Sequence, residues 1–417
     1  MDKVAVPVVS LVVLGSLGLL VRVGMALHAC GTARSKNAAS AMLRSIVEMS
    51  VAALAFWAVG GAILMGVGNG AIGFNRYLLF FARAETAAGG MSQFFDVALF
   101  YNLVLALIAT GPISAAMGER GRTFPLCVGA GLVTGILVPI CGYWSWVGSG
   151  WLARMGFIDA AGGSVVHVTG GLAALLGAML VGARQGKYNN DRSSNFIPGH
   201  SGTLAMAGVL LMLVGWIPYV VGASLLHAAV ASRVASNVVL AGAAGTIISY
   251  GMSRARFGKA DVHLTMSGML GGLVSITAGA GAISPIAAVA VGALGGWMVM
   301  WATVFVDMNL KIDDPSGTAV AHLLGGAWGT LAVGVFGTFE NLSQRMRVVG
   351  VQAVGVVGIA LITVIVAGGV FVAMRSIGAM RVSEADEYDG LDLAEHDLNA
   401  YPDFQQTMIK SYHLREA

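Results

Sequence analysis

The feature that most constrains this chain is a succession of apolar segments, each about 20 residues long, which runs almost unbroken to residue 374. Candidate spans fall at 4–29, 42–66, 94–116, 124–143, 163–182, 201–224, 236–251, 262–280, 284–306, 318–337 and 348–374. A segment of that length crosses a bilayer as a helix, because only a helix satisfies every backbone group within itself. The balance of residues agrees, with 57% hydrophobic and 11% charged, where a soluble chain carries roughly a quarter charged. A soluble multidomain α/β protein is excluded. The 59 glycines extend the argument. In lipid no hydrophobic force draws helices together, so small residues that let backbones approach take over that task. An all-α membrane protein of about eleven transmembrane helices is expected.

The other global features add less. A net charge of +3 gives no reason to expect a nucleic-acid partner. Cys30, Cys127 and Cys141 lack metal-ligand spacing and read as small buried residues, so neither metal nor cofactor is expected. After Met1-Asp2-Lys3 the chain enters its first apolar run with no small-residue cleavage site, and this run reads as a span rather than a removed signal. Composition divides the chain into a transmembrane domain, 1–375, and a polar, acidic tail, 376–417. With the N-terminus outside, the inner loops hold 11 basic residues and the outer segments, including Lys3, Arg76 and Arg83, hold 7. That excess places the N-terminus outside and the tail inside. Three charges lie within apolar segments: Arg22, Arg44 and Glu48. Arg44 and Glu48 are four residues apart and are expected to pair on one helix face, with Arg22 snorkelling or bonded to a neighbouring helix.

An internal repeat carries the most information. Span 5 opens as Asp159-Ala-Ala-Gly-Gly-Ser-Val-Val-His167, followed by Gly170-Gly171. Span 10 opens as Asp314-Pro-Ser-Gly-Thr-Ala-Val-Ala-His322, followed by Gly325-Gly326. Five spans per copy is an odd number, so spans 1–5 and 6–10 must run in opposite senses, with one further helix after them. An inverted repeat of this kind places its site near the midplane, between the copies. Eight helical residues rise ~12 Å, which takes His167 and His322 about a third to a half of the way across a ~30 Å core from opposite faces. Ionisable groups at that depth mark ion or proton paths. Two imidazoles sharing a hydrogen bond would make a narrow lining that can bind a small polar solute or relay a proton.

At these residues the chain resembles the ammonium transporter family, whose signature reads Asp-Phe-Ala-Gly-(Gly/Ser)-Thr-Val-Val-His. Further similarity lies in Gly118-Glu119-Arg120, Ile276-Thr277-Ala278-Gly279, Ile283-Ser284-Pro285 and Asp313-Asp314-Pro315. The tail adds Arg381-Val382-Ser383-Glu384, Gly390-Leu391-Asp392-Leu393-Ala394-Glu395-His396 and Ala400-Tyr401-Pro402. The resemblance implies eleven helices, a homotrimer with one pore per subunit, and His167 and His322 as the pore pair that accepts or conducts the ammonium proton. It implies Trp146, or Trp144, as the mouth tryptophan that recruits the cation through its ring face. Tyr219 falls on one gate phenylalanine. Asp159 matches the acid at the outer mouth, a structural role that its place at a helix start also suggests. The tail is implied to pack beneath the subunits and to meet a PII-type signalling protein.

Departures cluster at the way in. The inner member of the outer phenylalanine pair becomes Leu105 and the outer member Tyr101; the mouth serine falls on Ala223, beside Ser224. Phe-Tyr-Gly-Gly at the end of span 1 reads His28-Ala29-Cys30-Gly31, the asparagine after the inner aromatic is Val220, and the acid before the second histidine is Gly317. Ammonium or ammonia transport across the plasma membrane is the expected function. The alternative is an ammonium sensor that signals through its tail with little flux. No HExxH or serine–lysine pattern suggests an intramembrane enzyme.

Overall fold

Among the described residues, eleven apolar helices follow one another: α1 (Val8–Thr32), α2 (Ser35–Met65), α3 (Asp96–Met117), α4 (Thr123–Met155), α5 (Gly163–Val181), α6 (Gly202–Leu225), α7 (Ala231–Phe257), α8 (Val262–Ile276), α9 (Pro285–Leu310), α10 (Thr318–Phe336) and α11 (Leu342–Ser376). Ten are long and apolar enough to cross a membrane, and α8 is shorter. In the described part of the tail lie two small helices, α12 (Glu384–Asp389) and α13 (Leu391–His396). This computed structural model describes residues 8–73, 90–226 and 230–402. Lys3, Arg76 and Arg83 lie outside them. The all-α membrane fold expected from the apolar segments is the fold found.

The α8 segment ends early for a reason visible in its surroundings. Beyond Ile276 the chain turns irregularly through Thr277–Ala282 and stays buried as far as Ala280. Backbone that leaves a helix inside a membrane must find other partners. Here Ala160 N–H donates to Ala278 O, and the Asn237 amide donates to Ala280 O and Ile283 O.

Two helices decide where the site falls. At one end of α5 the Ser164 hydroxyl lies 2.7 Å from the Thr330 hydroxyl, toward the far end of α10. Beyond the other end of α5, Arg184 pairs with Asp313, just before α10 begins. The two helices therefore run antiparallel. Glycine lets them touch: a Cβ on Gly171 would stand 2.4 Å from Leu323 N, and one on Gly326 would stand 2.3 Å from Gly163 O. These are members of the glycine pairs that follow each histidine in the repeat.

Among the charges inside the apolar segments, Arg22 bonds to a neighbouring helix, one of the two expected outcomes, whereas the Arg44–Glu48 pairing is not found. Arg44 and Glu48 do not pair, although both are buried on α2. Arg22 of α1 takes Glu48, at 3.1 Å, and Arg44 turns to Glu395 of the tail, at 2.8 Å. An i,i+4 pair along a helix is worth only a few tenths of a kcal/mol. A cross-helix partner that neutralises a buried charge offers far more.

The tail is fastened to the membrane domain. Asp392 accepts from the backbone N–H groups of Ala39 and Ser40 at the start of α2, and Leu391 N–H donates to the Asn37 side chain. Lys36 Nζ donates to the carbonyls of Glu387 and Tyr388. Arg381 donates to Val181 O and pairs with Glu387.

Candidate functional site

Both histidine helices begin with the same turn. Gly162 precedes α5 at φ 88° and Gly317 precedes α10 at φ 71°, left-handed values that glycine adopts without cost. Each glycine lies three residues after its aspartate. Asp159 Oδ2 accepts from the N–H groups of Ser164 and Val165, at 3.0 and 2.9 Å. Asp314 Oδ2 accepts from those of Ala319 and Val320, at 3.0 and 3.3 Å. The opening turns aim both helices inward, and the first residues of α5, Gly163–Val168, are wound as a wide π-turn. Gly317, where the resemblance expected an acid, is the residue that this turn requires.

The turns bring the two histidines together. His167 Nδ1 lies 2.9 Å from His322 Nδ1, and both side chains are fully buried. The rings meet edge to face, with centroids 4.7 Å apart and planes at 73°. Trp216 of α6 stacks on His167 at 5.1 Å and donates its indole N–H to the Thr277 hydroxyl. Tyr219, one turn further along α6, places its hydroxyl 3.2 Å from His167 Nε2 and 2.5 Å from Ala161 O. His322 Nε2 is buried and has no hydrogen-bond partner among the described residues.

Residues expected at the mouth are placed unevenly. Tyr101 is fully buried, its hydroxyl 2.6 Å from Tyr219 O and 3.2 Å from Pro218 O. Leu105 and Ala223 are buried as well, and the neighbouring Ser224 hydroxyl is buried without a partner among the described residues. Trp146 is half-buried and donates its indole N–H to Asp159 O at 2.6 Å. Trp144 instead donates to Ala71 O and meets the edge of Trp151. Burial pushes the Asp159 carboxyl up to about 6, against the pull of the N–H groups of Val165 and Ser164.

Around the start of α10, arginines replace neutral donors. Arg184 bridges Asp313, at 2.8 Å, and Glu119, at 2.6 Å, and Arg34 takes the other oxygen of Glu119. Arg120 donates to the carbonyls of Asp313, Ala116, Gly118 and Gly182. Burial alone would raise both carboxyls, but Arg120 and Arg184 beside Asp313, and Arg184 and Arg34 beside Glu119, hold them below the usual range. His28 of α1 sets Nε2 3.0 Å from Ser316 O and Nδ1 3.3 Å from Ala205 O, joining α1 to the α10 turn and to α6. Sequence reasoning missed the stacking of Trp216, and nothing in the local pattern distinguishes that residue from other apolar positions on α6.

Apolar helices enclosing a buried, hydrogen-bonded histidine pair define a multi-pass membrane protein with a polar centre. The chain matches the model of the Ammonium Transporter Family over residues 9–401, and it belongs to that family. It is 32% identical over 416 residues to "Ammonium transporter Amt2" of Archaeoglobus fulgidus, a match covering 94% of this chain and 87% of that one. It is 30% identical over 407 residues to "Ammonium transporter 3" of Dictyostelium discoideum, covering 93% and 92%. Among solved structures, one described as "Sensor Amt Protein" superposes with a TM-score of 0.88 at 30% identity, covering 93% of this chain and 98% of that one. Mep2 of Candida albicans shares the fold, with a TM-score of 0.75 at 22% identity, covering 90% and 87%.

Proposed function

We propose that the protein carries ammonium nitrogen across the plasma membrane past the His167–His322 pair, with a proton handed to the pair on the way. The direct Nδ1–Nδ1 contact of two fully buried imidazoles carries this reading. A hydrated sodium or potassium ion would have to shed its water to pass a buried, largely apolar path. Ammonium escapes that cost by giving up its proton. Trp146 attracts the cation at the mouth, Tyr101, Leu105, Tyr219 and Ala223 form the constriction, and Asp159 holds the opening turn of α5.

The wider assignments belong to the same proposal. Spans 1–5 and 6–10 are inverted copies that make up the membrane domain 1–375 together with the last helix. The N-terminus faces out, and the tail 376–417 faces the cytosol. The protein assembles as a homotrimer and presents the tail face to a PII-type signalling protein. The conduction reading is tested by ammonium-evoked current and labelled methylammonium uptake in reconstituted vesicles. Replacing both His167 and His322 by alanine is expected to lower selective flux at least about tenfold, equivalent to about 1.4 kcal/mol of barrier. Undiminished selective flux would sink the mechanism.

One observation favours a second reading, an ammonium sensor with little flux. The mouth is altered at Leu105 and Ala223, and a solved relative of near-identical fold is described as a sensor. Ammonium-dependent binding of a cytosolic partner, with no measurable transport, would select it.

A further inference from the structure

The proton positions of the histidine pair follow from its neighbours. A carbonyl oxygen can only accept, so the 2.5 Å approach of the Tyr219 hydroxyl to Ala161 O requires the hydroxyl hydrogen between them. A hydroxyl has one hydrogen. Toward His167 Nε2, at 3.2 Å, the same oxygen can therefore only accept. A neutral imidazole has one N–H and one lone pair, so His167 carries its hydrogen on Nε2 and its lone pair on Nδ1. Across the 2.9 Å contact His322 must then donate from Nδ1. Its Nε2 is left as a bare lone pair, buried and without a partner among the described residues.

We propose that the Tyr219 hydroxyl is a positioning residue that orders the tautomers of the pair and makes His322 Nε2 the first atom of the pair to take a proton. The family resemblance puts a phenylalanine at this position, so the hydroxyl is a feature of this chain. Its own placement is fixed on several sides. Tyr101 donates to the Tyr219 carbonyl at 2.6 Å, the Tyr219 ring stands edge-on to His167 and Trp216, and Ala161 lies in the turn that Asp159 caps. His167, nearer the Asp159 mouth along the chain, offers no lone pair except the one that His322 already occupies.

Under the conduction reading, on which this use of the pair rests, the proton comes from ammonium. One N–H bond of ammonium breaks, its electron pair stays on nitrogen as ammonia, and a new N–H bond forms at His322 Nε2. The positive charge moves to the ring. Loss of that proton to water restores the neutral ring, so the cycle needs no redox partner.

The test uses the full-length protein in lipid with 15N-labelled histidine. Solid-state NMR is expected to find His167 protonated at Nε2 and His322 at Nδ1. On addition of acid or ammonium, His322 Nε2 is the first nitrogen to change. Tyr219→Phe keeps the ring and removes the hydroxyl, so both tautomer orders become accessible. With the two orders equally populated the competent fraction halves, so the apparent affinity for ammonium falls about twofold while the saturating current is unchanged. A wild-type spectrum with His322 protonated at Nε2 overturns the proposal, as does a Tyr219→Phe spectrum identical to wild type. The wild-type spectrum decides even where the variant misfolds. Ordered tautomers together with no current in the wild type would instead remove the conduction reading and leave the role of Tyr219 standing.

Discussion

The two histidine helices start with one device and are secured by two different ones. Asp159 and Asp314 each lie eight residues before a histidine, each caps two N–H groups five and six residues on, and each is followed by a left-handed glycine. Around Asp159 every hydrogen-bond partner among the described residues is neutral. Trp146 donates to its carbonyl, and Gln352 of α11 ties Ile158 N and O to Thr330 O. Around Asp314 the fastening is ionic, through its neighbour Asp313, Glu119 and three arginines, and the tail packs beside it. The same local fold can thus be held by dipoles or by charges. Burial raises both capping carboxyls, Asp159 to about 6 and Asp314 in the same direction, and the ends differ in titration only at the neighbouring Asp313, which the arginines hold down.

The ionic end should be the costlier to break. Arg184→Ala strips Asp313 and Glu119 of their shared partner while leaving both buried. Removing one side of a buried pair costs about 3–5 kcal/mol, and a large fall in melting temperature in detergent is the expected result. Gln352→Leu attacks the neutral end by removing its hydrogen bonds to Ile158 and Thr330, at about 1–3 kcal/mol. Should the glutamine variant melt as early as the arginine variant, the contrast between the two ends is wrong.

The symmetric part of this arrangement was legible in the sequence, and the asymmetric part was not. Spacing from aspartate to histidine and to the glycine pair is local, and it anticipated two helices meeting at two imidazoles. Partners supplied from distant segments leave no such pattern. Arg44 and Glu48, four apart, read as a pair, yet Glu395 lies 351 residues from Arg44 in sequence and wins it in space. Gly317 read as a lost acid because only the backbone reveals its φ of 71°. Tyr219 read only as the counterpart of a gate phenylalanine, since the significance of its hydroxyl lies in a carbonyl 58 residues away.

The smallest effect sharpens the comparison most. Asp159→Asn keeps a side-chain oxygen for the Ser164 and Val165 N–H groups, so stability at neutral pH should change by no more than about 1 kcal/mol. Its pH dependence should differ from wild type in a defined direction. Asp159 has a folded value raised to about 6, above the roughly 3.9 of an unfolded aspartate, so the folded protein binds more protons in that window. Its contribution is full below the unfolded value and is lost as pH rises through about 6. Wild type should therefore gain on the asparagine variant as pH falls from about 7 to about 4. Asp313 works the other way, because its depressed value makes its contribution present above the ordinary carboxylate range and lost on acidification. Melting curves are expected to diverge for Asp159→Asn as pH falls from about 7 to about 4, and to converge for Asp313→Asn only below about pH 4. Two differences of the same sign would mean that the ends are held alike.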